Sequence, residues 1–385
     1  MNYNSKCPTP PMGWNSYYTV NCDPSEELLL DAADRLVDLG LRDAGYVYLN
    51  LDDGWLEPER DANGRLVSRD AIFPHGMKYV TDYIHSKGLK AGTYLGCGLK
   101  TWNGDAGSLG HEYEDAKQIA EWGFDYLKYD RHPMAEDGPR DTMSEYIKMG
   151  MALRDCGRDI VYNLCEHGTT KPWLWASVAG SLWRIGPDIR DSFANGIPNG
   201  RGILDIVDLV GAEASNYTHS GGFNDPDMLM VGMRAQSDWA GQGMTDTEYK
   251  TNFALWCFMA APLLIGADLR KITQPYVDIL TNPRLIAINQ DPMAMPAKRL
   301  STEWFGRELW GRQLSDFRWG VLILNRSWGP QDYGFEWKEL DISPEVPMKV
   351  TDEWTGEVLA ENVRGSFTVH AESHEARVLT ITPML

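Results

Sequence analysis

Residues 23–55 read DPSEELLLDAADRLVDLGLRDAGYVYLNLDDGW. The stretch Ser25 to Leu39 has helical apolar spacing. Asp23 is placed to cap it, Pro24 sits at its first position and Glu26 completes a capping box, so an amphipathic helix is predicted there. Tyr46 to Leu51 follows as a short aromatic and β-branched run, which predicts a buried strand. Two carboxylates, Asp52 and Asp53, stand directly at its end. A helix, then a strand, then polar side chains is the unit from which parallel sheets are built.

The alternation continues outward from this unit. Further strands are predicted at Leu89 to Leu95, Tyr126 to Tyr129, Ile160 to Leu164 and Pro262 to Ile265, with helices at Lys78 to Ser86, Tyr113 to Trp122, Met143 to Leu153 and Glu248 to Met259. The unit count is nearer eight than five, which favours a closed (β/α)₈ TIM barrel over an open doubly wound sheet. Past Asp291-Pro292-Met293-Ala294-Met295-Pro296 the pattern changes to short strands and turns, at Trp319 to Leu324, Lys349 to Thr351, Phe367 to Val369 and Arg377 to Ile381. We therefore expect an α/β barrel over residues 1–293 and a C-terminal antiparallel β-sandwich domain over 294–385.

The 385 residues carry 36 Lys and Arg against 55 Asp and Glu, a net charge of -19, which repels phosphate backbones and anionic lipid. Nucleic acid and membrane surfaces are poor partners on this ground, and homo-oligomerisation is left open. No signal peptide or membrane span is visible. Six cysteines lie far apart without zinc-type spacing, so a cytoplasmic location is the expectation.

In a (β/α)₈ barrel the reactive groups emerge at the C-terminal ends of strands. Here those positions hold Asp52, Asp53, Asp130, Glu166, Asp188, Asp225 and Asp227, with Trp14, Trp55, Tyr94, Lys128 and Arg184 in the same kind of place. One Asp at a strand end is most simply a helix cap. Carboxylates at five strand ends, with aromatics among them, instead describe an acidic cup suited to a sugar, whose hydroxyls donate to carboxylates while its C–H faces meet rings. Paired carboxylates also fit glycoside hydrolysis. Glycine-rich phosphate loops, HExxH and GxSxG are absent. His132 and His167 follow strand ends and leave a mixed His and Asp metal site open, although histidines in such places are more often hydrogen-bonding groups.

The blocks TPPMGWNS, GLRDAGYVYLNLDDGW, GTYLGCG, AGSLGHEYEDAKQIAEWGFDYLKYD, NLCEHG, LWRIGPDI, FNDPDMLMVG and APLLIGADLR occur in this order. Nearly end to end, the chain resembles glycoside hydrolase family 27, the α-galactosidases and α-N-acetylgalactosaminidases. The resemblance implies a retaining exo-glycosidase, without cofactor or metal, acting on terminal α-D-galactosyl residues of small galactosides. By motif position it implies Asp130 in LKYD as the nucleophile and Asp188 in WRIGPDI as the general acid/base. It implies substrate-binding roles for Trp14, Asp52, Asp53, Tyr94, Lys128, Glu166, His167, Arg184 and Asp227, and leaves Asp225 and Met228 structural. Asp52 and Asp53 match the pair that accepts hydrogen bonds from the 4- and 6-hydroxyls.

This chain departs from that pattern at three places. His167 stands where the family usually has Trp, at the border of the sugar's 2-position. The segment Met233 to Gly243 is longer than the usual loop. Gly54 replaces the partner of Cys22 in a family disulfide, and Trp102 and His132 occupy the positions of a second, so neither bridge can form. Rival readings on the same scaffold are a β-L-arabinopyranosidase, which should lack the carboxylate for the 6-hydroxyl, and an α-N-acetylgalactosaminidase, which Glu166 argues against. From other classes come a catalytically silent galactose-binding protein, which should have lost Asp130 or Asp188, and a metal-dependent barrel hydrolase.

Overall fold

The computed structural model describes residues 7–132, 141–194, 201–236, 240–302 and 306–384. Eight strands, β1 (Met12–Asn15), β2 (Tyr48–Asn50), β3 (Lys90–Gly96), β4 (Tyr126–Asp130), β5 (Val161–Cys165), β6 (Leu182–Arg184), β7 (Phe223–Asp225) and β8 (Leu263–Ile265), form one parallel sheet in the order β7-β6-β5-β4-β3-β2-β1-β8. Leu229, just past β7, closes the ring. Its N–H donates to the Leu264 carbonyl at 2.7 Å, and its own carbonyl accepts from Gly266 N at 3.0 Å. The chain is the expected (β/α)₈ barrel.

The predicted strands and helices fall within two residues or so of the observed ones, while β1, β6 and β7 were not singled out. Each of these three has only three or four residues, too few for a periodic signal. The first long helix also starts later than its capping signals implied. It spans Glu26–Asp38, and Ser25 is the N-cap, its hydroxyl accepting from Leu28 N at 3.2 Å. Glu26 serves the next layer instead, taking the His75 backbone N–H at 3.2 Å and its ring nitrogen at 2.7 Å.

The second domain holds β9 (Lys298–Thr302), β10 (Arg307–Gln313), β11 (Trp319–Asn325), β12 (Gln331–Glu336), β13 (Met348–Asp352), β14 (Val358–Val363), β15 (Ser366–Ala371) and β16 (Ala376–Pro383). Six of them form an antiparallel sheet ordered β14-β13-β16-β11-β10-β9, and β12 pairs with β15 opposite it. Strand alternation sorts the side chains of the larger sheet. Leu309, Val321, Ile323, Leu379 and Ile381 enter the sandwich core, whereas Trp310, Leu322, Leu324 and Val378 join the core of the barrel. The sheet is thus buried on both faces and anchors the sandwich to the barrel.

Candidate active site

Asp130 is the last residue of β4 and lies in register with Gly96 and Cys165 on its neighbours. Lys128 is two residues earlier, so strand alternation sends both side chains to the same side, into the barrel mouth. There Lys128 Nζ meets Asp52 Oδ2 at 2.9 Å, and the same oxygen accepts from Asn15 Nδ2 at 2.8 Å. Asp52 and Asp53 turn inward directly after β2. Asp53 accepts the backbone N–H of Gly54 at 2.8 Å and of Asn103 at 2.9 Å. Even so, burial dominates there and pushes the Asp53 pKa up to about 7 from its ordinary 3.8.

The two proposed reacting carboxylates meet at one imidazole. His167 Nε2 lies 3.2 Å from Asp130 Oδ1, and His167 Nδ1 lies 3.6 Å from Asp188 Oδ1. Asp130 also accepts from the Tyr94 hydroxyl at 3.2 Å and from Arg131 N at 2.8 Å. Burial opposes its ionisation, but the hydrogen bond and charge of His167, helped by Lys128, prevail and hold the carboxyl well below its usual range. Asp188 is affected likewise. Burial raises its pKa, Arg184 and His167 more than offset that, and the result is a lowered value despite repulsion from Asp130.

A cavity of about 250 Å³ is lined by Asp52, Asp53, Tyr94, Lys128, Asp130 and Asp188. That is somewhat below the roughly 300 Å³ at which pockets for drug-sized ligands begin, so it is sized for one small ring. Tyr17, Trp102 and Arg201 complete its wall, and none of them was among the site residues expected from the sequence. Tyr17 lies two residues past β1, a strand too short to carry a periodic signal of its own.

The remaining expected residues stand behind or beside this cavity. Trp14 is buried and donates to the Ala267 carbonyl at 3.0 Å. Arg184, also buried, reaches Asp188 and Asp227, both at 3.1 Å, and so orients Asp188. Asp227 adopts a φ of 80° and accepts from Ile189 N at 2.9 Å, which holds the turn carrying Asp188. Asp225 is structural as expected, braced by Asn163 at 2.7 Å and Asp227 N at 2.8 Å. Glu166 and His167 line a second chamber of about 300 Å³, which shares Trp102, Asp188 and Arg201 with the first. A larger cavity of about 660 Å³ lies where Arg190 and Phe193 face Trp328 and His374 of the sandwich, and neither Asp130 nor Asp188 lines it.

Asp130, Cys165 and His167 place a carboxylate, a thiol and an imidazole within 4.8 Å of one another. The Asp130 carboxylate is already engaged by the Tyr94 hydroxyl, Arg131 N and His167. All six cysteines are free. At Gly54, φ is 98° and a Cβ would meet the Cys22 carbonyl oxygen at 2.2 Å, so the backbone has closed over the site of the lost bridge. Trp102 and His132 meet as tilted rings, centroids 3.8 Å apart and planes at 44°, in place of the other. Of the longer loop at 233–243, residues 237–239 lie outside the described residues.

Comparison with known proteins agrees with this architecture. Residues 9–291 match the family model of alpha galactosidase A, and 305–381 that of the alpha galactosidase C-terminal beta sandwich domain. Alpha-galactosidase 3 of Arabidopsis thaliana is 38% identical over 382 residues, covering 99% of this chain and 83% of the relative. The crystal structure of alpha-galactosidase I from Mortierella vinacea is 32% identical, covers 98% of both chains and superposes with a TM-score of 0.92. The alpha-galactosidase of Saccharomyces cerevisiae solved with raffinose is 27% identical, covers 100% of this chain and 99% of its own, and has a TM-score of 0.90. With both domains matched in order, the chain belongs to the alpha-galactosidase family, glycoside hydrolase family 27.

Proposed function

We propose that this protein is a retaining exo-α-galactosidase that releases terminal α-D-galactosyl residues from small galactosides and oligosaccharide ends. One observation carries the reading: Asp130 and Asp188 share the wall of a cavity sized for a single sugar ring, beside the acceptors Asp52 and Asp53. Asp130, kept ionised, attacks the anomeric carbon. Asp188, which Arg184 and His167 hold below its usual range, must take up a proton before it donates one to the departing glycosidic oxygen, and after the glycosyl-enzyme forms its carboxylate deprotonates the water that releases galactose. The raffinose bound by the yeast relative supports a galactoside of this size.

Selectivity comes from unpaired acceptors. An epimer with an equatorial 4-hydroxyl leaves a buried carboxylate oxygen unsatisfied, which costs about 1 to 3 kcal/mol. Asp53, retained on the cavity wall, favours galactose over arabinopyranose, which lacks the hydroxymethyl arm. The free state of all six thiols supports a reducing, cytoplasmic location.

The test is a panel of aryl α-D-galactoside, β-L-arabinopyranoside and α-N-acetylgalactosaminide, assayed with wild type and Asp130→Asn, with the first-formed anomer read by proton NMR. We expect fastest turnover of the α-D-galactoside, release of α-galactose, and loss of turnover in the variant. Release of β-galactose would replace the double displacement by an inverting reaction. Undiminished Asp130→Asn activity would remove the nucleophile assignment.

A further inference from the structure

The second chamber adjoins the sugar cavity, with Asp188, Trp102 and Arg201 common to both. We take it as space for the leaving group because it is a further cavity that Asp188 lines, so its role rests on Asp188 being the acid/base. Its walls carry two guanidinium groups, Arg131 and Arg201, both half-buried. Among the described residues neither makes an ion pair or a side-chain hydrogen bond. That is unexpected in a chain with 55 acidic and 36 basic residues, where Arg60, Arg69, Arg184, Arg299 and Arg326 all hold carboxylates.

The carboxylates of the chamber are committed elsewhere. Asp188 faces Arg184 and His167. Glu166 is only 1% exposed, and its Oε2 accepts from Thr169 Oγ1 at 2.6 Å and from Thr170 N and Oγ1, both at 2.9 Å. Its Oε1 is buried without a partner. Burial raises the Glu166 pKa, against the lowering hydrogen bonds from Thr169 and Thr170. Trp102, 53% exposed, offers a flat face to a ring.

We propose that the chamber recognises an anionic leaving group: a ring that packs on Trp102 and carries a carboxylate or sulfate held by Arg131 and Arg201. Guanidinium groups suit such planar or multidentate anions.

The test compares kcat/KM for meta-carboxyphenyl α-D-galactoside with that of its methyl ester. The ester is intrinsically the better leaving group, so a preference for the free acid must come from the protein. Two half-buried guanidinium groups should favour the carboxylate roughly tenfold at about 20 mM salt, with the ratio shrinking severalfold at about 0.5 M. In Arg131→Gln/Arg201→Gln the ratio should fall toward one. A wild-type ratio at or below one, or a preference that survives the double substitution, would overturn the inference. Failure to hydrolyse the neutral ester would instead defeat the galactosidase reading itself. A meta-sulfophenyl galactoside run in parallel shows which anion gains more, and so separates a uronate-type from a sulfated partner.

Discussion

Asp53 is a carboxylate that the fold holds at a cost, and the cost depends on pH. Its pKa of about 7, against an ordinary 3.8, means that the folded protein binds a proton there which the unfolded chain releases near pH 4. A group raised in this way stabilises the fold least when it is ionised, so stability declines as pH rises from about 4 to about 7 and then levels. The displacement corresponds to about 4 kcal/mol. Asp53→Asn removes the titration while keeping the shape. It also turns an amide N–H₂ toward one of the two backbone donors, Gly54 N or Asn103 N, a mismatch worth about 1 to 3 kcal/mol at every pH. The variant should therefore be less stable than wild type by that amount at pH 4 to 5 and as stable or more so at pH 8, while losing galactosidase activity because an acceptor is gone. Urea unfolding of both proteins at several pH values measures this directly. What counts is the change in the difference between them, about 4 kcal/mol across the range, since the constant mismatch cancels. A difference that stays flat from about pH 4 to 8 would show that Asp53 is not held by burial as described.

Two further outcomes test the electrostatics of the site. His167→Gln takes a lowering influence from both Asp130 and Asp188, so both pKa values rise and the whole bell of kcat/KM against pH, acid limb from Asp130 and basic limb from Asp188, should move to higher pH; an unmoved or acid-shifted bell on an aryl α-galactoside would contradict the bridging role. Lys128→Met leaves the Asp52 carboxylate buried without its 2.9 Å partner and should cost about 3 to 5 kcal/mol of stability by urea unfolding, largely recovered by adding Asp52→Asn; additive losses in the double variant would show that the pair is not coupled.

How much of this was legible beforehand depends on where each residue sits. Asp52, Asp53, Lys128 and Asp130 were readable because strand alternation and the strand-end rule fix the direction of a side chain within two residues of a strand. Trp14, Arg184, Asp227 and Glu166 were expected on the cavity, yet none lines it, because their places depend on loop conformation. The 80° φ of Asp227 and the 59° φ of His167 have no periodic signature in a sequence. Arg184 illustrates the consequence: the family resemblance implied a sugar-binding role, whereas folding directs it into a three-way contact with Asp188 and Asp227, outside the cavity lining.

The departures from the family pattern carry a different kind of information. Taken singly, Trp102, His132 and His167 are three unrelated substitutions on the loops after β3, β4 and β5. In space they are one cluster, with Trp102 in tilted contact with His132 at 3.8 Å and edge-on to His167 at 6.5 Å. A disulfide would have tied the first two positions covalently, and here ring contact joins them while leaving the Trp102 face half-exposed toward the leaving-group chamber. His167, occupying the usual Trp position, bridges Asp130 and Asp188. One cluster of rings thus stands in place of the family disulfide and touches both carboxylates. A chain that regained Trp at 167 alone would lose the bridge but keep the Trp102 platform, so pH dependence and leaving-group preference should separate in that variant.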